Sequence, residues 1–348
     1  MKTKSKKTSR SIAPPSGHTP SELRRDLVTG NWVVIARERA KRPNDFKSKL
    51  KEENICLPDD PFADPQAFGN AEPLLLYKDK KGDWTVQVIP NKYPAFGETG
   101  QCAESRKSGP YKVMDGRGFH EVVISRSCKD YFALLPRETA IDVLKAYQER
   151  YSALKGRECV KYISIFENHG REAGASLAHP HSQIIAIPVI PPEVLRSLEG
   201  SKRFFDTANT CVHCAMIAWE KKDKVRVIFE NSSVIAFCPF ISRTAFEIHV
   251  FPKEHHGRFE NFPSQLLPDL AEAMQKSLLM LNKTLKNPAY NFFVHTSPAD
   301  GTEDYAYYHW HVEILPKTAV WAGFELGTGI DISTIEPERA AVFLKGKS

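Results

Sequence analysis

The segment His179–Pro180–His181–Ser182–Gln183 holds the residues whose types and spacing point most directly to chemistry. Successive side chains of a strand alternate between its faces, so His179, His181 and Gln183 project together while Pro180 and Ser182 face the other way. Pro180 offers no backbone N–H, which places the stretch at the start or edge of a strand. Immediately upstream, NHGREAGAS at residues 168–176 brings two glycines, small side chains and amide and hydroxyl donors, a composition that lets backbone amides approach a phosphate. A neutral imidazole carries a lone pair, and an ordinary pKa of about 6.5 keeps it largely unprotonated at neutral pH. Together these residues suit nucleophilic attack on phosphorus, with Gln183 donating to a non-bridging oxygen where charge is held. A glutamine cannot shuttle a proton, which favours transfer to a phosphate acceptor over attack by water.

The elements that must carry these residues occur twice. Strand signatures at 31–37, 73–77, 84–88 and 119–125 precede a helix over 136–154, whose apolar residues Ile141, Leu144, Tyr147, Tyr151 and Leu154 recur near helical spacing. Strands at 162–167 and 179–187 follow. The second part repeats this order, with strands at 233–240 and 246–252, a helix over 263–285, and strands at 290–295 and 309–315. HPHSQIIAIP at 179–188 is answered by HWHVEILP at 309–316, the two pairs standing 130 residues apart. This recurrence implies an internal duplication, with halves at 20–195 and 196–348. Because strands and helices do not alternate strictly, the expected class is α+β, with helices packed against mostly antiparallel sheets. In the second copy, acidic residues in PADGTEDYAYY at 298–308 replace the glycine-rich lead-in, so His309, His311 and Glu313 are not expected to form a second reactive site.

Composition narrows the function classes. The 348 residues are 41% hydrophobic and 26% charged, ordinary globular usage. No apolar run approaches the roughly 20 residues of a membrane-spanning helix. The net charge of +6 suggests nucleic-acid binding until it is located: Lys2, Lys4, Lys6, Lys7 and Arg10 supply five of the six charges, and the remainder is nearly neutral. Residues 1–19 read as a basic, disordered tail without the apolar core of a secretion signal. Neither a nucleic-acid nor a membrane partner is expected. Seven scattered cysteines do not suggest a disulfide framework, so a reducing cytoplasm is the expected compartment.

A metal site is also expected. Cys211 and Cys214 form CVHC, the spacing with which two thiolates grip one tetrahedral zinc, and His255 and His309 are the candidates for the two further ligands. Such a closed site would be structural, because His181 already supplies the nucleophile.

ENHGREAGASLAHPHSQ at 167–183, with WVVIARERAKRP near the start, IPNKYPAF at 89–96 and AGFELGTG at 322–329, resembles the galactose-1-phosphate uridylyltransferase branch of the histidine triad superfamily. The resemblance spans nearly the whole chain after the tail. It implies two histidine-triad-like halves, a homodimer with sites built from both subunits, and a nucleotidyltransferase working by double displacement. By this likeness His181 attacks the α-phosphorus of a nucleoside diphosphate sugar, sugar 1-phosphate leaves, and a hexose 1-phosphate or phosphate collects the nucleotidyl group. UDP-glucose is the expected donor; GFELGTG resembles the adenylyl branch and points to ADP-glucose with phosphate as the alternative. The likeness further implies that Asn168, Ser176 and Gln183 hold phosphoryl oxygens, that the His179 carbonyl orients His181, that Arg42 and Asn91 lie near the nucleotide, and that Glu325 touches the hexose. Cys211, Cys214, His255 and His309 match a zinc site of plant relatives. The first half departs from the pattern: where many relatives carry CPFC this chain has Asp60–Pro61–Phe62–Ala63, and SRSCK with Cys128 stands where a further histidine is usual. No metal is expected there, and His179 is expected to be held by hydrogen bonds. A nucleotide-conjugate hydrolase is disfavoured by Gln183 at the place of a third histidine, and a non-enzymatic zinc-stabilised binding protein would have no use for a nucleophile.

Overall fold

The computed structural model describes residues 20–37, 56–97, 102, 104–302 and 305–346; the basic tail and Arg42 lie outside the described residues. In chain order, strands β1 (Glu22–Arg25), β2 (Trp32–Ile35), β3 (Leu75–Lys78), β4 (Trp84–Pro90), β5 (Ser105–Ser108), β6 (Tyr111–Met114) and β7 (Phe119–Ser125) lead to helix α1 (Arg137–Lys155). After it come β8 (Tyr162–His169), β9 (His181–Ile187), helices α2 (Pro192–Ala208) and α3 (Val212–Asp223), and β10 (Val227–Glu230). Next are β11 (Val234–Phe237), β12 (Ile248–Pro252), helix α4 (Leu267–Leu285), β13 (Tyr290–His295) and β14 (His311–Pro316). Helix α5 (Gly323–Thr328), β15 (Asp331–Ser333) and helix α6 (Pro337–Leu344) complete the chain.

Ten of these strands form one sheet in the order β10-β11-β12-β14-β13-β8-β9-β7-β4-β3. Every neighbouring pair in it is antiparallel. The fold is therefore α+β. Two sets of five strands meet where β8 pairs β13, in the register Asn168↔Asn291 and Glu167↔Phe292. Long helices cover one face. From α1, Leu144, Tyr147 and Tyr151, and from α4, Leu270, Met274 and Leu278, enter one continuous core with Val86, Ile163 and Ile184 of one strand set and Ile248, Phe292 and Ile314 of the other. At roughly 25 cal/mol per Å² of apolar surface removed from water, this shared layer dominates the stability of both sets.

A smaller sheet, β1-β2-β15, brings the beginning of the chain to its end, with β15 parallel to β2. Buried Arg24 reinforces this closure through Glu338 at 3.0 Å and the Phe240 carbonyl at 2.9 Å. Helix α2 approaches the turn after β1 so closely that a Cβ on Gly200 would lie 1.6 Å from the Val28 carbonyl oxygen. No helix among the described residues is long and apolar enough to cross a membrane.

The cysteine reading is corrected by the structure. Cys56 is bonded to Cys128 and Cys102 to Cys159, with Cα separations of 5.4 and 5.6 Å. These partners are 72 and 57 residues apart, so the chain path creates the pairs and local spacing carries no trace of them. The argument from unbridged cysteines to a reducing compartment falls with that reading.

Candidate active site

Strand β9 begins at His181 and divides its residues between two layers. Ser182 is buried against α1, where the Tyr147 hydroxyl donates to it at 2.7 Å, while His181 and Gln183 look out of the opposite face. His181 Nδ1 lies 2.8 Å from the His179 carbonyl oxygen. A carbonyl only accepts, so Nδ1 carries the ring proton and Nε2 keeps its lone pair. Burial holds the His181 pKa below the ordinary histidine value, an effect that the His179 carbonyl and Asp60 partly oppose. The ring is thus kept neutral with its free nitrogen aimed away from the backbone.

His179 is itself fixed on both sides. Its Nδ1 lies 2.6 Å from Asp60 Oδ2 and its Nε2 2.8 Å from the Ser125 carbonyl oxygen. Asp60 and His179 are both buried, and the Phe62 edge touches the His179 and His181 rings at centroid distances of 5.8 and 5.2 Å. Asp60, expected from the resemblance to stand where a CPFC cysteine would, holds the histidine directly.

The phosphate-binding candidates come from the turn between β8 and β9. Gly170 and Gly174 have φ of +81° and +90°, values that L side chains rarely adopt, and they let the chain fold over Asn168. Asn168 accepts from Asn291 Nδ2 at 2.7 Å, and Asn291 Nδ2 also donates to the Ala173 carbonyl at 2.8 Å. The carbonyl end of Asn168 is therefore engaged, and its amide nitrogen turns toward Gly174. Ser176 is exposed on the same loop. On β8, burial raises the Glu167 carboxyl to about 8, with the Tyr290 hydroxyl at 3.3 Å.

Asn91 and His120 join the group from the neighbouring strands. His120 Nε2 is 2.8 Å from Gln183 Oε1 and 3.1 Å from Asn91 Nδ2. Glu325 sits apart on exposed α5, where it accepts from the Ala322 N–H at 3.1 Å and takes no hydrogen bond from the His181 group. Sequence reasoning passed over Asp60 as a partner, His120 and Asn291, because each meets the motif only through strand pairing or a long loop. His120 and Asn291 left only the trace of lying within strand signatures, at 119–125 and 290–295.

The CVHC segment opens α3. Cys211, Cys214, His255 and His309 present ligand atoms that all lie within 4.8 Å of one another. Cys214 Sγ is 3.4 Å from His255 Nδ1 and 3.5 Å from His309 Nδ1. In a tetrahedral zinc site, sulfur and nitrogen ligands stand about 3.6 Å apart, so this donor set fits such an ion. His311 repeats the geometry of His181, its Nδ1 lying 3.1 Å from the His309 carbonyl. Its Nε2, however, faces Glu313 at 3.3 Å, and Glu313 is paired with Arg243. That carboxylate already has its cation, and its charge makes the surroundings of His311 unlike those of His181.

Comparison with known proteins gives the family. The galactose-1-phosphate uridyl transferase N-terminal domain matches residues 13–191, and a domain of unknown function matches residues 142–342. The ADP-glucose phosphorylase of Arabidopsis thaliana is 35% identical over 93% of this chain and 92% of its own. The galactose-1-phosphate uridylyltransferase of Thermotoga maritima is 26% identical over 92% and 96%. The crystal structure of the Arabidopsis enzyme with bound ADP-glucose superposes with a TM-score of 0.79 at 33% identity, covering 95% of this chain and 99% of that one. A uridylyltransferase structure reaches 0.73 at 25%, covering 93% and 96%. By the family match over half its length and the 35% identity to the Arabidopsis enzyme, the chain belongs to the galactose-1-phosphate uridyl transferase family of nucleotidyltransferases.

Proposed function

We propose that the chain transfers a nucleoside monophosphate from a nucleoside diphosphate hexose to a phosphate acceptor through a covalent intermediate on His181. The observation that carries this reading is the bond from His181 Nδ1 to the His179 carbonyl, which leaves Nε2 as a neutral nucleophile. Nε2 attacks the α-phosphorus. A P–N bond forms as the bond to the bridging oxygen breaks, and hexose 1-phosphate departs with that electron pair. The ring, now positively charged, keeps its Nδ1 proton on the His179 carbonyl, with Asp60 behind it. An acceptor phosphate oxygen then attacks the same phosphorus and returns the lone pair to Nε2. Gln183, Asn168 and Ser176 supply donors to the phosphoryl oxygens, which need stabilising as charge redistributes. Asn91 lies on the nucleotide side.

Two donors have comparable support. UDP-glucose with a hexose 1-phosphate acceptor follows from the matching family and the Thermotoga relative. ADP-glucose with phosphate follows from the Arabidopsis relative at 35% identity. Incubation with each labelled sugar nucleotide is expected to leave an acid-labile nucleotidyl group on the parent protein and none on His181→Ala. A parent protein that takes label from no donor defeats the reading.

Cys211, Cys214, His255 and His309 would hold one zinc per chain as a structural staple between α3 and the strands beside it. Metal analysis should return one equivalent, and Cys211→Ser with Cys214→Ser should return none; full occupancy in that variant refutes the assignment. The two halves are proposed to descend from one histidine-triad-like unit, a reading supported by the matching strand order on either side of β8 and β13. A homodimer is proposed as well, supported by Val320, Trp321, Phe324 and Leu326, which expose apolar surface on and beside α5.

A further inference from the structure

His120 is not part of the nucleophile strand, yet three polar groups converge on its ring. The Ala95 N–H meets Nδ1 at 3.2 Å, Gln183 Oε1 meets Nε2 at 2.8 Å, and Asn91 Nδ2 stands 3.1 Å from Nε2. The proton has two possible places in the neutral ring. On Nδ1 it would confront the Ala95 N–H and leave Gln183 Oε1 facing an acceptor, satisfying only Asn91. On Nε2 it satisfies both the Ala95 donor and the Gln183 acceptor and leaves one unmatched contact, the half-buried Asn91 amide, whose Oδ1 accepts from the Tyr93 N–H at 2.8 Å, against two unmatched contacts in the other form. The Nε2–H form is therefore the one this network selects. Burial also lowers the His120 pKa, which keeps the ring neutral.

We infer that His120 is a positioning residue for the transfer step, its Nε2–H fixing the carbonyl end of Gln183 so that the glutamine amide N–H groups face the phosphoryl oxygens beside His181. An amide side chain turns over by rotation about one bond, and its two ends differ little in shape. Turned the wrong way, Gln183 would present a carbonyl oxygen to a phosphoryl oxygen and repel it. His120 removes that choice before substrate arrives. The Asn91–Phe96 loop supplies the donor that sets the His120 tautomer, so this loop and Gln183 are joined through one ring.

This inference rests on the covalent reading above, and the test separates the two. Removing a single donor to a developing oxyanion costs about 10²–10³ in rate, and misdirecting one should cost somewhat less. His120→Phe keeps a ring but no donor; about a tenfold or greater fall in the rate of nucleotidyl-His181 formation is expected, with KM for the donor changed less than about threefold. His120→Gln, whose amide reaches the position of Nε2, should restore most of the rate. In a Gln183→Ala background, His120→Phe should cost nothing further, because the two residues act through one another. Additive losses in that cycle, or an unimpaired His120→Phe, overturn the inference while leaving the nucleophile intact. Nitrogen-15 spectra of the histidine rings give a readout independent of turnover. A resonance lost in His120→Phe must show an unprotonated Nδ1 and a protonated Nε2; the opposite tautomer also overturns it.

Discussion

The two ring nitrogens of His181 have different fates, and a single backbone carbonyl decides which is which. Because Nδ1 is committed to His179, protonation in acid must occur at Nε2, the atom that carries the lone pair. Burial lowers the pKa of this ring, with the His179 ring adding to the effect and Asp60 and the His179 carbonyl opposing it. The acid limb of the transfer rate should therefore fall below the ordinary histidine value of about 6.5 rather than at or above it. A pH profile of kcat/KM for the donor checks this, and a limb centred above about 7 contradicts it. At this scale the sequence was informative where chemistry is local. The spacing of His181 and Gln183 announces a shared strand face, and CVHC announces a thiolate pair. Asp60 was read there only as a missing ligand, because its partner His179 is 119 residues away and nothing in the local pattern joins them.

Strands β8, β9 and β13 form the frame on which the site is mounted, and Glu167 is their least comfortable member. Its carboxyl is buried at the meeting of the two strand sets, and burial raises it to about 8 from the ordinary 4.5. In the unfolded chain the same group ionises near 4.5. Stability is thus fully present below that value and declines as pH rises from about 4.5 to about 8, since ionisation is easier when the chain is unfolded. Glu167→Gln keeps the shape without the charge. It should be about 1–3 kcal/mol more stable than the parent near pH 8 and no more stable near pH 4, as thermal unfolding at both pH values will show. A variant destabilised at both would contradict the assignment. Helices α1 and α4 were legible because their apolar residues repeat with helical period and are long enough to average out exceptions. Helix α2, the helix opened by Cys211, and the β5–β6 hairpin escaped sequence reading. The hairpin is exposed on both faces and shows no alternation, while α2 rests on a contact with Val28 that lies 172 positions earlier in the chain. Parallel pairing of β15 with β2 escaped for the same reason of distance.

Across the whole molecule, the apolar residues around α5 are the surface most in need of a covering. Trp321 is 63% exposed and Leu326 71%. If a second copy covers them, light scattering should give twice the chain mass, and Trp321→Ser with Leu326→Glu should shift the population toward one chain; a parent protein that is monomeric at micromolar concentration refutes the dimer. The proposed duplication rests on the paired histidine motifs, but the pairing of β8 with β13 that joins the two strand sets left no mark in the sequence, because the two strands lie more than a hundred residues apart. That junction has a practical consequence. Producing either half by itself would strip β8 or β13 of its neighbour and lay bare a full row of backbone donors and acceptors beside a severed apolar layer. Such a fragment would recruit whatever extended segment it met, so truncated or prematurely terminated versions of this chain are aggregation hazards rather than small working enzymes.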